Sequence, residues 1–449
     1  MSNNTFRPLL ERLGGNPTDS YVGKAGELFY DPENGQLRLS DGTTPGGLPI
    51  SSGSGDAVPS DFGPTISLGT GAGGGQGEHS VAIGFNAGHS GQAWSTVAIG
   101  NTAGYSNQGP SAIAIGRSAG ESDQAWDAVA IGRFAGQNQQ QDGTVGIGYY
   151  AGRNNQRYHS IAIGAQAGQD NQYWDAIAIG RSAGYEGQDH QTIAIGHRAG
   201  QEYQQQQSVA IGAYAGQYSQ NQHAIAIGAR AGNDSQSATA ISIGEDAGNY
   251  EQGEHSVAIG RSAGHDSQDW NAVAIGRFAG GTQQSSGAIG IGHYAGNDNQ
   301  DSEAVSIGWN AGQTQQRYHA IAIGADAGNY YQSWDAVAIG RAAGTYSQDH
   351  QAVAVGHRAG YYEQGSRSIA LGWKAGEYNQ NSNSIAIGAY AGTADMPTNS
   401  IVLNATGSTV NPVQSNSFTV KPIRQVNDVS GMVQLYYDTT SGEIVAYVP

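Results

Sequence analysis

Short apolar segments recur along this chain at a fixed spacing. The segment Val81-Ala82-Ile83-Gly84 returns in closely similar form every 16 residues, and its last regular copy starts at Ile385, which makes twenty copies without an insertion. A related segment starts at Ile66 and a degenerate one at Ile401. A fixed period of this length is typical of solenoids, in which each repeat forms one coil that stacks on the next.

The repeat reads [VI]-A-I-G-x-x-A-G-x-x-x-Q-x-x-x-[AST], with Val81 at position one and Thr96 at position sixteen. Gly at positions four and eight and Ala at position seven occur in all twenty copies, and Gln at position twelve is replaced only by Met396. Alternation of β-branched and small residues from position sixteen to position three predicts a β-strand. The repeated glycines predict backbone with positive φ or a close approach between coils.

The alternation also leads to an expectation about packing. We expect the side chains of positions one, three and seven to fill the coil, and the small residues of positions two and sixteen to form an outer face that another chain can approach. We expect the glutamines of position twelve to form an amide ladder along the stack. The first five members of this ladder are Gln92, Gln108, Gln124, Gln140 and Gln156. Because so small a coil buries little apolar surface, we expect a homo-oligomer, namely a homotrimer.

The predicted fold class is therefore all-β, a parallel β-solenoid (β-roll) of about twenty 16-residue coils with small β-rich modules at both ends. Residues 1–50 form an N-terminal attachment module with a short helix near Leu9 and a hairpin that turns at Asn34-Gly35. Residues 51–64 are a Gly/Ser/Pro linker, and residues 65–404 are the solenoid. Residues 405–449 form a C-terminal cap and trimerisation module, because an open solenoid end exposes unpaired backbone groups. Within this module, residues 436–444 predict a second hairpin.

Composition narrows the classes of function. The formal net charge of −17 argues against a nucleic-acid partner. The chain contains no cysteine, so disulfides and cysteine-based metal sites are excluded. We find no secretory signal and no apolar run of about 18 residues, so we expect synthesis in a cytoplasm and no membrane insertion. No cofactor is expected.

Part of the repeat resembles a known family. The stretches Ser80–Gly84 and Ser256–Gly260 resemble the S-V-A-I-G head repeat of trimeric autotransporter adhesins. That resemblance implies a left-handed parallel β-roll in which three chains lie side by side. The signal peptide, coiled-coil stalk and membrane barrel of that family have no counterpart here, so we do not expect an autotransporter.

Both ends resemble proteins of tailed bacteriophages. Residues 26–47 resemble an N-terminal segment of phage tail-fibre proteins, and residues 436–444 are similar to the ends of structural proteins from large tailed phages, cyanophages among them. The resemblance implies a tail fibre in the virion, assembled in the host cytoplasm, whose N-terminal module binds other tail or baseplate proteins. Its function would be attachment to a host-surface glycan or protein receptor. The alternative is a structural spacer or decoration fibre that binds no receptor.

Aromatic residues gather at position fourteen, which we call the aromatic stripe. Its members are Trp94, Trp126, Trp174, Trp270, Trp334, Tyr158 and Tyr318. These rings could stack on the sugars of a host glycan, or they could pack against a neighbouring chain. We favour packing, since tryptophan is common at protein interfaces.

Position five carries basic residues in several coils. Its arginines are Arg117, Arg133, Arg181, Arg261, Arg277 and Arg341, and His197, His293 and His357 share the position. They could bind anionic glycans, but we expect them to pair with nearby Asp and Glu on the surface. The histidines lack the spacing of a metal motif, and no insertion or unique acidic cluster marks a catalytic centre, so neither a metal site nor enzyme activity is expected.

Overall fold

The computed structural model describes residues 22, 24–25, 28–31, 36–40, 42–46, 48–49, 65–427 and 432–447. These residues form strands, turns and irregular backbone but no helix, so the predicted all-β class is confirmed for them. It follows that none of the described residues belongs to a helix able to cross a bilayer. The helix expected near Leu9 and the linker 51–64 lie outside the described residues. One compact unit ends at Asp298, and a second begins at Asn299.

A small antiparallel sheet lies near the N-terminus of the first unit. Its strands are Leu28–Asp31, Gln36–Leu39 and Leu48–Pro49. The first two pair as the predicted hairpin, while the third strand, which the sequence pattern did not indicate, adds to the edge of Gln36–Leu39. At this edge, Arg38 donates a hydrogen bond from Nη1 to the carbonyl oxygen of Gly46 at 3.0 Å.

The solenoid of the first unit consists of two columns of short parallel strands. The first column, at repeat positions one to three, contains Ile66–Leu68, Val81–Ile83, Val97–Ile99, Ile113–Ile115, Val129–Ile131, Val145–Ile147, Ile161–Ile163, Ile177–Ile179, Ile193–Ile195, Val209–Ile211, Ile225–Ile227, Ile241–Ile243, Val257–Ile259, Val273–Ile275 and Ile289–Ile291. The second column, at positions ten to twelve, contains Ser90–Gln92, Ser106–Gln108, Ser122–Gln124, Asn138–Gln140, Asn154–Gln156, Asp170–Gln172, Glu186–Gln188, Glu202–Gln204, Asp234–Gln236, Tyr250–Gln252, Asp266–Gln268 and Thr282–Gln284. Strands of adjacent coils pair in parallel, as Ile177 does with Ile193. The second column is interrupted between Glu202–Gln204 and Asp234–Gln236, where Tyr218 forms only isolated bridges.

The second unit has the same two columns. Its first column contains Val305–Ile307, Ile321–Ile323, Val337–Ile339, Val353–Val355, Ile369–Leu371, Ile385–Ile387, Ile401–Asn404 and Phe418–Lys421. Its second column contains Thr314–Gln316, Tyr330–Gln332, Tyr346–Gln348, Tyr362–Gln364 and Tyr378–Gln380, and a further strand, Asp298–Gln300, begins at the last residue of the first unit. Ile401 pairs with Phe418, so parallel stacking extends past residue 404. The predicted C-terminal hairpin is formed by Gln434–Tyr437 and Ile444–Tyr447.

The interior of each coil is filled by small side chains, so the expected packing was right for position seven and wrong for positions one, two, three and sixteen. Ala176, Ala178 and Ala183, at positions sixteen, two and seven, have no exposed surface. Ile177 is only half-buried, and Ile179 is 36% exposed. A 16-residue coil is too narrow for opposed branched chains, so the methyl groups of alanine face inward and the branched side chains of positions one and three face outward. We call this outward surface the Val/Ile face.

The two glycines of each coil are required by the closeness of the next coil or of the interior. Gly180 has a φ of +130°, and a Cβ there would lie 2.5 Å from the carbonyl oxygen of Gly196. Gly184 has a φ of +51°, and its Cβ would lie 2.5 Å from the side-chain amide of Gln188. A side chain at either position would therefore force the coils apart or displace the amide.

The glutamines of position twelve, together with Met396 in the last copy, are the largest fully buried side chains of the interior. Gln188 donates through Nε2 to the carbonyl oxygen of Ile177 at 3.0 Å and to Oε1 of Gln204 at 3.1 Å. Gln204 in turn donates to the carbonyl oxygens of Ile193 at 2.9 Å and Ser208 at 3.3 Å. Each amide thus links the two walls of its own coil and the coil that follows. These bonds are what allow a polar side chain to be fully buried.

We predict that Gln204→Met lowers the free energy of unfolding by about 1–3 kcal/mol, because it leaves buried carbonyl oxygens without a donor. The matched control is Gln205→Met, since Gln205 is the next residue and its side chain is exposed. Urea unfolding of both variants tests the prediction. Equal midpoints for the two variants would show that the ladder contributes nothing to stability.

Candidate functional site

Each strand of the first column lies between two tight turns. These turns set the positions of exposed side chains that a partner could contact. In the coil around Ile177–Ile179, the turn before the strand is closed by a hydrogen bond from Ala176 N to Tyr173 O at 3.4 Å. Its third residue, Asp175, has a φ of +56°, as in a type II turn. The second residue of this turn is Trp174, so the aromatic stripe projects from one end of the strand.

The turn after the strand has the same construction. Ala183 N donates to Gly180 O at 3.4 Å, and Ser182, the third residue, has a φ of +56°. The second residue of this turn is Arg181, a member of the position-five row. The aromatic stripe and the position-five row therefore lie at opposite ends of the same strand, with the Val/Ile face between them.

The aromatic stripe is exposed throughout. The exposed fractions are 54% for Trp94, 61% for Trp126, 49% for Trp174, 61% for Trp270, 53% for Trp334, 41% for Tyr158 and 48% for Tyr318. Trp174 meets Tyr158 and His190 edge-on, with ring centroids 6.1 Å and 5.1 Å apart. In the second unit Trp334 contacts Tyr318 and His350 at 6.4 Å and 5.4 Å. These contacts join neighbouring coils but leave about half of each ring uncovered.

The arginines of position five do not pair with carboxylates, so that expectation was wrong. Within the part of the chain that the structure describes, none of the six arginines makes an ion pair with an acid. Arg181 Nη2 lies 2.8 Å from Nε2 of His197, and Arg341 Nη2 lies 3.0 Å from Nε2 of His357. The reason is the stack itself, which places the same repeat position of the next coil beside each arginine.

Other position-five arginines lie over aromatic rings. Arg117 and Arg133 lie 5.0 Å and 5.7 Å from the centroid of Phe134. Arg261 and Arg277 lie 5.4 Å and 5.6 Å from the centroid of Phe278. Cation–π contacts of this kind stabilise the turns by about 0.5–1 kcal/mol at exposed sites.

The pKa values of the histidines beside these arginines are lowered, which favours the neutral form of each ring. Burial and, after it, the positive charge of Arg181 lower the pKa of His197 below its ordinary value of 6.5. Burial and then Arg277 lower the pKa of His293, and burial and then Arg341 lower that of His357. A neutral ring can present Nε2 as an acceptor to the guanidinium group, which a protonated ring cannot do.

Ion pairs with acids occur at other positions. Arg230 donates to both carboxylate oxygens of Asp246, at 2.6 Å and 2.8 Å, and this bond lowers the pKa of Asp246. In the second unit, Arg358 Nε and Lys374 Nζ lie 3.0 Å and 3.4 Å from Oε1 of the buried Glu377. The Arg230–Asp246 and Arg358–Glu377 pairs connect successive coils, whereas Lys374 and Glu377 belong to the same coil. Among the described residues no group of three or more His, Cys, Asp and Glu is arranged to hold a metal ion.

A further surface was missed at the sequence level. Positions ten and eleven point outward from the second column, and we call this surface the position-eleven face. Tyr203 is 62% exposed there, and Tyr331 is 56% exposed in the second unit. A shallow cleft of about 550 Å³ beside Tyr203 is lined by amides and carboxylates, including Asn154 and Asp170. The available signal was that only these two of the twenty coils carry an aromatic residue at position eleven.

The polar side chains of this cleft are already ordered by one another. Asn138 Nδ2 donates to Asn154 Oδ1 at 2.8 Å, and Asn154 Nδ2 donates to Asp170 Oδ1 at 2.6 Å. A comparable cleft of about 640 Å³ lies beside Tyr331 in the second unit. An exposed ring next to a row of fixed donors and acceptors can stack on a sugar ring and bind its hydroxyl groups.

The neutral histidines lead to a prediction about pH. Because the folded chain holds these rings at a lowered pKa, the unfolded chain binds more protons, so stability falls as pH drops through the region below 6.5. Replacing His197, His293 and His357 together with Gln should therefore reduce the difference between urea midpoints at about pH 7.5 and about pH 5.5. The control variant replaces His159 and His319, which lie 3.5 Å and 3.3 Å from Asp175 and Asp335. If the control variant reduced the difference between the two urea midpoints by the same amount, the pH dependence could not be assigned to His197, His293 and His357.

Comparisons with known proteins add no family assignment. No protein-family model matches the chain, and no curated protein sequence is significantly similar to it. The chemistry of the three surfaces above and the motif resemblances at the two ends are therefore the basis for a function.

Proposed function

We propose that the protein is a homotrimeric fibre of a tailed-phage virion, and that it attaches the particle to a glycan on the host surface. The N-terminal module would bind other tail or baseplate proteins, and the glycan would lie along the position-eleven face. The observation that carries the attachment function is the pair of polar clefts with an exposed tyrosine, one in each unit.

The regular stacking supports a fibre. Within each unit every coil bonds to the next through the same three residues of the first column, as in Ile193–Ile195 with Val209–Ile211. Such a stack can be lengthened by copying coils without changing any contact inside them. The phage-like segments at residues 26–47 and 436–444 give the virion as the setting.

The Val/Ile face supports self-association. Its outward isoleucines include Ile179, Ile243 and Ile275, each 36% exposed, and Leu371 in the second unit is 43% exposed. The face continues from coil to coil because every coil contributes the same two branched residues. A continuous apolar surface of this kind marks an interface. Three copies around one axis would cover all three faces, as the resemblance to trimeric adhesin heads implies.

The position-eleven face supports glycan binding because it lies on the second column, away from the Val/Ile face. A trimer closed through the Val/Ile faces would therefore leave it open to solvent. Its donors and acceptors are neutral amides interspersed with carboxylates, as in Asn154, Asn155 and Asp170, which suits a neutral or amino-containing sugar better than an acidic one.

Light scattering tests the oligomer. The wild-type chain should have a mass three times 46.4 kDa. The triple variant Ile179→Lys, Ile243→Lys and Ile275→Lys should fall to the monomer mass and keep its β circular dichroism, because these side chains point outward. The control places lysine at three exposed position-eleven residues, Asn107, Ser235 and Gln283, and should remain trimeric. A monomeric wild-type chain would overturn the homotrimer.

Binding of the intact protein to an array of bacterial surface polysaccharides tests attachment. Tyr203→Ala combined with Tyr331→Ala should weaken binding about tenfold or more, because each loses its stacking ring. The matched control combines Tyr158→Ala with Tyr318→Ala, which removes two exposed tyrosines from the aromatic stripe, and should bind as the wild type does. Loss of binding in the Tyr158 and Tyr318 variant alone would place the glycan-binding site on the aromatic stripe instead. No binding by the wild type to any polysaccharide would favour the spacer alternative.

A further inference from the structure

The aromatic stripe and the position-five row share a sequence relation. Four of the five stripe tryptophans are followed seven residues later by an arginine, in the pattern W-[DN]-A-[VI]-A-I-G-R. The pairs are Trp126 with Arg133, Trp174 with Arg181, Trp270 with Arg277, and Trp334 with Arg341. Only Trp94 departs from the pattern, since Asn101 stands at the corresponding place.

The pairing survives where the surrounding residues have changed. Residues 124–156 and 268–300 are internal copies of each other. The residues on both sides of the tryptophan differ between the copies, with Ala125 and Asp127 in one and Asp269 and Asn271 in the other. The tryptophan and the arginine are the same in both. Residues 128–136 and 272–280, which include the arginine, are also identical, so both copies keep a tryptophan and an arginine at the two ends of the same strand.

Within one chain such a pair cannot make contact. Trp126 and Arg133 lie in the turns at opposite ends of Val129–Ile131, and that strand alone spans about 10 Å. The Trp126 ring is 61% exposed, while the Arg133 guanidinium lies 4.5 Å from the centroid of Tyr149. The two side chains can therefore act together only through something outside the chain that reaches both ends of the strand.

We propose that the partner is a second copy of this chain, and that the tryptophan of one protomer packs on the arginine of the next. The inference rests on the homotrimer proposed above. In a cyclic arrangement each contact is heterologous, so one edge of a protomer meets the opposite edge of its neighbour. A rotation about the symmetry axis moves no residue along that axis. Residues that flank the same strand therefore meet at the same level, which brings Trp126 of one copy to Arg133 of the next.

The chemistry of the two edges is complementary. The apolar Val/Ile face lies in the middle, with an aromatic ring on one edge and a guanidinium group on the other. A guanidinium within about 6 Å of an indole ring is attracted to it, and more strongly once water is excluded. Two of these levels, Trp174 and Trp334, would also fix the register of the copies, because a shift by one coil would place Ala165 and Ala325, or His197 and His357, where their arginines stand.

Cysteine trapping tests this contact directly, because the chain has no cysteine of its own. Trp126→Cys combined with Arg133→Cys should form a covalent trimer under mild oxidation, seen on a denaturing gel without reductant. A disulfide requires Cα atoms within about 7 Å, so the two cysteines cannot join within one chain. The register control, Trp126→Cys with Arg181→Cys, places the cysteines three coils apart and should remain uncrosslinked.

The outcomes separate this inference from the homotrimer. A trimer by light scattering without the Trp126–Arg133 cross-link would overturn the contact and leave the homotrimer standing. A monomer by light scattering would overturn the homotrimer itself. A covalent dimer would keep the contact but replace three copies by two.

A second measurement compares arginines that lie over the same two rings but differ in whether a stripe tryptophan stands seven residues before them. Arg133→Gln with Arg277→Gln should raise the dissociation constant of the trimer about tenfold or more. The matched control is Arg117→Gln with Arg261→Gln, since these arginines lie over the same rings, Phe134 and Phe278, but follow no stripe tryptophan. Equal effects of the two double variants would contradict the inference.

Discussion

The narrow interior of the 16-residue coil is the constraint on which the rest of the structure depends. With two strand columns and two tight turns in so few residues, the opposite walls leave room only for methyl groups and one stacked amide. Ala176, Ala178, Ala183 and Gln188 occupy this space and have no exposed surface. The same narrowness accounts for Gly180, whose Cβ would meet the backbone of the next coil, and for the outward direction of Ile177 and Ile179.

The solenoid has an unusual core, a buried row of glutamine amides. The hydrogen bonds of these amides specify how each coil is aligned with the next. Alanine alone would permit a coil to slip, because one methyl group packs much like another. Each glutamine amide instead needs acceptors in its own coil and in the next, as Gln204 finds at Ile193, Ser208 and Gln220. A slip of one residue would leave these groups unpaired and would turn the branched side chains inward. Coils of another length occur only near the ends of the described solenoid, where Ile66 pairs with Val81 and Ile401 with Phe418.

The interior positions carry nearly the same residues in every coil, so sequence variation is confined to the outward positions. Stacking of the coils places the residues of each outward position in a row along the solenoid. The row at position five joins arginine to histidine or to an aromatic ring, and the row at position fourteen joins tyrosine, tryptophan and histidine. Positions ten and eleven join amides to carboxylates. The partners of a surface residue are therefore set by the next coil as well as by its neighbours in sequence, as for Phe134, which lies under both Arg117 and Arg133. A function can then arise from substitutions along one row.

The sequence by itself determined the period, the strand at positions one to three, the glycine-dependent turns and the two terminal hairpins. These follow from local alternation, from φ angles that favour glycine, and from turn residues such as Asn34-Gly35. The stacking of Gln92 on Gln108 could also be expected, because an identical residue returns at every coil. Tertiary structure alone decided which face of the strand is inside. Side chains along a strand alternate with a period of two, which fits either face equally well, so only the width of the coil favours alanine over isoleucine in the interior. It also decided that Arg181 meets His197 instead of an acid, and that Tyr203 stands beside an open cleft, because both depend on how successive coils are superposed.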